Sequence, residues 1–202
     1  MDVHDSTPVL VGVGRYTFQR KARPKALERY GKSPLEMLLE AARRAAADAN
    51  QDPQGMELNS IAHVSSATDA RVMAAASEGK MSNLGENRLL YPNTPGAVAA
   101  ALGCPPDKVQ ELIATGDSGS MPQVLVNRTF EKIAHGEIQS ALILGAEALH
   151  SYNAAVKQGV PAAEMKARWG EGELLPEARG RLNTLKKVPG IAIYPPGKSL
   201  DE

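Results

Sequence analysis

The sequence contains a single cysteine, Cys104, which excludes an internal disulfide and a zinc site built from several cysteines. No apolar run approaches the roughly 20 residues that a membrane-spanning helix requires. The first residues also lack the apolar stretch of a secretory leader. Together these absences predict a protein of the reducing cytoplasm, with no membrane span.

An excess of charge of either sign is also missing. The chain has 23 Lys plus Arg and 23 Asp plus Glu, so its formal net charge near neutrality is zero. Such a balance provides no whole-chain attraction for nucleic acid or for an anionic membrane. We therefore expect neither as a partner. The 202 residues suffice for one hydrophobic core, alone or with an appendage.

Apolar runs alternate with helical patterns along the first 150 residues. Short runs predict strands, and capping residues followed by apolar periodicity predict helices. The clearest helix opens with the capping box of Ser33 and Glu36 and carries one apolar face, which consists of Leu35, Leu38, Leu39, Ala42, Ala45 and Ala46. The predicted strands cover 9–13, 60–66, 109–114 and 140–145, and the predicted helices cover 33–50, 94–103 and 120–135. This order predicts an α/β fold with a mostly parallel sheet covered by helices. We expect residues 1–150 to form this domain and 151–202 to form a loop excursion without its own core.

The segment 115–123 joins the third predicted strand to an apolar helix through a glycine-containing turn. The first N–H groups of a helix have no intrahelical partner and carry partial positive charge, so they suit an anion or a polarised carbonyl. We expect Ser120 to cap this helix, with Gln123 three positions on. The candidate substrate-binding residues are Ser118, Gly119, Ser120 and Met121, of which Ser118 and Ser120 are the candidate catalytic residues. A serine is a weak nucleophile without an adjacent base.

Four other features of the sequence have a simpler, structural interpretation. The Gly12-Val13-Gly14 string lacks the third glycine of a dinucleotide-binding loop and is typical of a turn that needs small residues. Cys104 has no basic neighbour to activate it, so we expect an inert thiol. Glu147 follows the fourth predicted strand, where we expect it to hold loop N–H groups. We expect structural roles for the four histidines, which are His4, His63, His135 and His150.

Several strings resemble the N-terminal half of a thiolase-superfamily acyltransferase, in the branch of acetyl-CoA acetyltransferase-like and sterol-carrier-protein-type thiolase-like proteins. The resemblance covers about residues 7–150. The strings that carry it are Thr7-Pro8-Val9-Leu10-Val11-Gly12-Val13-Gly14-Arg15, Asn93-Thr94-Pro95, Met121-Pro122-Gln123-Val124-Leu125-Val126-Asn127, His135-Gly136-Glu137 and Ala141-Leu142-Ile143-Leu144-Gly145-Ala146-Glu147-Ala148.

The resemblance implies a layered fold of two similar α/β halves, of which this chain is the first. In the family, a cysteine at the start of the buried helix takes the acyl group from a CoA thioester. That position aligns with Gly119, within 118–121, where this chain has no thiol. The family's Gly-His-Pro segment and second cysteine, which belong to the second half, are absent too.

The resemblance therefore implies acyl transfer on acyl-CoA thioesters in lipid metabolism, with the thioester as substrate and neither cofactor nor metal. We expect this isolated chain to be inactive. One alternative is a non-catalytic subunit that binds acyl-CoA or assembles with a separate C-terminal half. Another is a serine esterase of the Gly-Asp-Ser type, for which residues 116–118 match but the required Asp-x-x-His pair is missing.

The helix at 122–134 adds an expectation about assembly. We expect it to be largely buried, yet its apolar positions cover more of its circumference than one sheet can shield. An isolated copy would then expose an apolar patch larger than is usual for a monomer. The sequence thus predicts a homo-oligomer or a complex with a C-terminal thiolase half.

Overall fold

The computed structural model describes residues 7–18, 31–54, 56–64, 94–105, 107–115 and 119–160, together with Glu164 and Trp169. These residues form a parallel α/β layer. The strands are β1 (Ser60–Val64), β2 (Glu111–Thr115) and β3 (Ala141–Gly145). The helices are α1 (Pro34–Asp48), α2 (Thr94–Ala101), α3 (Met121–Ala134) and α4 (Leu149–Lys157).

The sheet has the strand order β2-β1-β3, and both pairings are parallel. Ser60 lies opposite Glu111 on one side and Ala141 on the other, so the three strands run in register. Parallel neighbours need crossover connections, and α2 and α3 lie in the segments that link successive strands. The prediction of a parallel α/β layer is confirmed for these three strands.

Helix α1 begins as its sequence predicts. The Ser33 side chain accepts a hydrogen bond from the Glu36 amide at 3.1 Å, and the Glu36 carboxylate accepts one from the Ser33 amide at 2.8 Å. Pro34 occupies the first turn, where its missing N–H costs no hydrogen bond. Its buried face holds Leu35, Leu38, Leu39, Ala42 and Ala46, while Ala45, which we also predicted there, is half-buried.

The two faces of the sheet carry cores of unequal size. Alternate residues of β1 point to opposite faces, so Ile61 and His63 share one face and Ala62 the other. On the Ile61 side, α1 and α2 enclose a large cluster that also contains Trp169. On the Ala62 side, α3 covers a small cluster of Ala62, Ile113 and Leu125.

Helix α3 corrects our prediction that it is largely buried. Only Leu125 and Thr129 are buried, and Phe130 remains 43% exposed. The large residues of the sheet are concentrated in the cluster on the opposite face, so α3 has few apolar partners. Its apolar circumference therefore remains partly exposed, in agreement with our reasoning that one sheet cannot shield it.

The predicted strand at 9–13 is wrong. This segment is neither strand nor helix, and its side chains are exposed rather than buried: Val9 is 62% exposed and Leu10 77%. The sequence has the β-branched residues that favour strands, but a strand exists only where a neighbour pairs with it. The central strand, β1, already has β2 and β3 on its two sides.

The glycines of this segment let its backbone pack closely against α1, and they do not form the turn that we predicted. Gly12 packs against the backbone of α1 at Ala45, and Gly14 packs against it at Ala41. The Val13 amide between them donates a hydrogen bond to the Asp48 carboxylate at 2.8 Å. The two glycines are thus the positions at which the segment 7–18 lies directly on the helix.

Among the described residues, no helix is both long and apolar enough to cross a bilayer. Helix α4 spans position 150, where we predicted the boundary between the domain and the excursion. Two residues after its end lies Gly159, whose φ of 70° is a conformation that glycine commonly adopts after a helix. Most of the predicted excursion lies outside the described residues.

Candidate functional site

The candidate site lies at the edge of the sheet where the parallel strands end. Val64, Thr115 and Gly145 are the last residues of the three strands and lie opposite one another. The Thr115 hydroxyl donates a hydrogen bond of 3.5 Å to the carbonyl oxygen of His63, which ties β2 to β1 at this edge. Helix α3 begins six residues after β2 ends, so its first turn lies near the same edge.

The start of α3 is open to solvent. Gly119 and Ser120 are exposed, Met121 is half-buried, and apart from its chain neighbours no described residue has an atom within 4 Å of the place where a Gly119 Cβ would be. The catalytic candidate Ser118 lies outside the described residues, as do Gly116 and Asp117. Three of the four predicted substrate-binding residues, Gly119, Ser120 and Met121, therefore lie at the N-terminus of α3.

Ser120 occupies the N-cap position, as predicted, but the cap itself differs from our expectation. Its backbone is helical, with φ −87° and ψ −20°, and its side chain makes no capping hydrogen bond. A capping side chain needs an extended backbone to reach the amides of the first turn. Gln123 donates instead to Asn127 at 2.8 Å, one turn further along α3.

His63 and His135 lie too far from Ser120 to act as its base. His63 is completely buried on the α1 side of the sheet, whereas α3 packs on the other face. Burial lowers the pKa of His63 from 6.5 to about 4. His135 caps the far end of the 14-residue α3, about 20 Å from its start. His150 lies exposed on α4.

An ionic cluster that the sequence does not predict fixes α3 to the sheet. The buried Glu111 carboxylate, at the start of β2, binds the Lys132 ammonium group and lies 3.5 Å from the Arg128 guanidinium. Lys132 also lies 3.7 Å from Glu137. Arg128 and Lys132 are one helical turn apart, a spacing visible in the sequence, but their partner is known only once β2 and α3 are placed together.

Cys104 is buried. Within the described ranges, no group of three or more His, Cys, Asp or Glu side chains could hold a metal ion. Glu147 is exposed in the segment that follows β3. The chain matches no known protein-family model, no curated protein and no solved structure.

Proposed function

We propose that this chain is the N-terminal half of a thiolase-like acyltransferase that acts on acyl-CoA thioesters in the reducing cytoplasm. On this proposal, the start of α3 receives the thioester carbonyl or a CoA phosphate. The observation that carries the proposal is the N-terminus of α3, which follows a parallel strand and at which Gly119 and Ser120 are exposed.

The physical chemistry of this helix start supports binding. Its first amides point along the helix axis toward the ligand and carry partial positive charge. Gly119 adds no side chain in front of these donors, so a carbonyl or phosphate oxygen can approach. The family resemblance supplies the substrate class, and the helix start supplies the donors.

The same residues argue against turnover by the isolated chain. An oxyanion-hole donor is typically worth about 3 to 4 kcal/mol, but only when a nucleophile attacks from the opposite side. The aligned position carries no thiol, and neither His63 nor His135 lies near Ser120. We propose that acyl-CoA binds here without reacting, and that catalysis needs a C-terminal half supplied by a partner.

Incubation with labelled acetyl-CoA, followed by intact-mass measurement, tests the chemistry. We expect no acetyl adduct and no thiolysis or condensation. A stable adduct that disappears in Cys104→Ala would contradict our placement of the site. An adduct that disappears in Ser118→Ala would instead favour the Gly-Asp-Ser hydrolase.

Calorimetric titration with acetyl-CoA tests the binding. We expect Gly119→Ala to weaken binding at least tenfold, because on this proposal the added methyl group obstructs the bound ligand, while apart from its chain neighbours no described residue lies within 4 Å of it. Asn153→Ala, at an exposed position of α4, is the matched control and should bind as the original chain does. Equal affinities for both variants, or no binding by the original chain, would overturn the proposal.

A further inference from the structure

The zero net charge of the whole chain includes one strongly basic stretch. Residues 15–32 contain seven Lys or Arg and a single acidic residue, Glu28, so the rest of the chain carries the balancing negative charge. Phe18 and Gly31 lie together, since a Cβ at Gly31 would be 3.1 Å from the Phe18 ring. The two described ends of the basic stretch therefore meet beside the start of α1, which Ser33 caps.

The described basic residues of this region retain unpaired charge. Of the three carboxylates of α1, two already form ion pairs with basic side chains, and the third accepts a hydrogen bond from a backbone amide. Arg15 and Arg43, by contrast, are exposed and form no ion pair with another described residue. Their positive charge is available to an anionic partner.

An aliphatic segment (residues 9–13) leads directly into the basic stretch. Its four large side chains are 62 to 77% exposed, namely Val9, Leu10, Val11 and Val13. From 11 to 17 the odd positions are exposed and the even positions half-buried, so Val11, Val13 and Arg15 form one outward row on the segment that lies on α1. Aliphatic and cationic side chains thus share one surface of the molecule.

We propose that this surface binds an anionic lipid bilayer from one side, with residues 9–13 inserted among the lipids and the basic residues of 15–32 against the acidic headgroups. Binding of this kind combines the burial of apolar side chains with the attraction between basic residues and anionic lipids. Charge complementarity selects an anionic surface, and the aliphatic segment adjoining the cations selects a lipid one. The proposal is independent of acyl-CoA binding at α3 and involves no span of the bilayer.

The chemistry of the exposed side chains favours lipid over nucleic acid. Sites for single-stranded nucleic acid combine cations with aromatic side chains on which the bases stack. The exposed residues of the aliphatic segment are valine and leucine, and Tyr16 is half-buried with the Arg44 guanidinium 4.9 Å from its ring centroid. Aliphatic side chains gain free energy by leaving water for hydrocarbon, which a bilayer provides.

Sedimentation with vesicles measures this binding. We expect the chain to bind vesicles made of equal amounts of phosphatidylserine and phosphatidylcholine, and to release them as added salt screens the charges. Vesicles of phosphatidylcholine alone should bind at least tenfold more weakly. Equal binding to the two kinds of vesicle, or no binding to either, would overturn the proposal. A mobility shift with single-stranded RNA, without vesicle binding, would identify the surface as a nucleic-acid site instead.

Paired substitutions test the electrostatic contribution. Each basic residue near an anionic surface strengthens binding about fivefold, so Arg15→Gln combined with Arg43→Gln should weaken binding to the mixed vesicles about 25-fold. Lys108→Gln combined with Lys157→Gln removes the same charge from exposed positions elsewhere and should weaken it less than the first pair does. Equal losses for the two pairs would show that net charge, rather than this surface, determines binding.

A second pair of variants tests the apolar contribution. Leu10→Asn should weaken binding at least tenfold, because an amide then replaces a side chain that leaves water. Phe130→Asn removes an exposed apolar side chain from α3 and should leave binding unchanged. Circular dichroism verifies that all variants are folded. Unchanged binding by Leu10→Asn would contradict insertion of the aliphatic segment.

Insertion also has a readout of its own. In a Cys104→Ala background, an environment-sensitive fluorophore attached at Leu10→Cys should brighten when the mixed vesicles are added, because it enters hydrocarbon. The same fluorophore at Lys108→Cys, an exposed position next to β2, should not. Equal responses at the two positions would overturn the proposed orientation on the bilayer.

Discussion

His63 lies in an environment that is unusual for a histidine. Both ring nitrogens are buried and have no hydrogen-bond partner among the described residues. Its neighbours across the sheet are Ala114 and Leu144, and the cluster on its face contains no charged side chain. Desolvation therefore lowers its pKa to about 4, because the core offers nothing to stabilise an imidazolium.

This environment makes folding stability depend on pH. The unfolded chain binds a proton at His63 near pH 6.5, whereas the folded chain binds it only near pH 4. The free energy of unfolding should therefore be unaffected above pH 6.5 and fall as the pH drops from 6.5 to 4. At 1.36 kcal/mol per pKa unit the loss is about 3 kcal/mol. Urea denaturation at each pH measures it.

His63→Leu is the control, because leucine fills a similar space and does not titrate. Its stability should change less than that of the original chain between pH 6.5 and 4. Parallel losses in the two proteins would show that carboxylates, rather than His63, dominate the acid response.

At the scale of the elements, Gly14 determines how the segment 7–18 lies on α1. A Cβ at Gly14 would collide with the carbonyl oxygen of Ala41, which belongs to a rigid helix backbone. We expect Gly14→Ala to release the segment from α1 and to break the hydrogen bond between Val13 and Asp48. Hydrogen exchange should then report loss of protection at the Val13 amide.

The matched control is Gly119→Ala, which adds the same methyl group where nothing lies within 4 Å. It should leave the exchange of Val13 unchanged. Retained protection of Val13 in Gly14→Ala would mean that the segment and the helix can separate slightly without losing their contact.

Helix α1 and the segment 7–18 show what the sequence alone could and could not predict. The capping box of Ser33 and Glu36 is a local pattern, because all of its atoms lie within one turn, and it was confirmed. The apolar run at 9–13 was not a strand, because strand formation depends on a neighbour that local sequence does not specify.

The candidate site also has features that the sequence predicts and features that it does not. The change from strand to helix near Gly119 is a local pattern and was predicted. The helical backbone of Ser120 and the ionic cluster of Glu111 depend on how α3 sits on the sheet, which the sequence does not reveal.

At the scale of the whole molecule, the core is unequal on the two faces of the sheet. Six residues of α1 are buried, compared with two of α3. Elements with few buried apolar contacts open locally at lower free energy than the core opens globally. We therefore expect the amides of α3 to exchange faster than those of α1 and β1, measured residue by residue by NMR.

The Glu111 cluster then matters more than a surface ion pair would. With little apolar contact beneath it, α3 relies on this buried carboxylate, and its loss removes the ion pairs by which Lys132 and Arg128 bind to the sheet and leaves Lys132 only its contact with Glu137. Glu111→Gln should widen the difference in exchange between α3 and α1. Glu40→Gln, which breaks the exposed pair with Arg44, should not, since such pairs contribute about 0 to 1 kcal/mol. If α3 kept its protection in Glu111→Gln, the apolar contact at Leu125 would have to be what holds the proposed binding site in place.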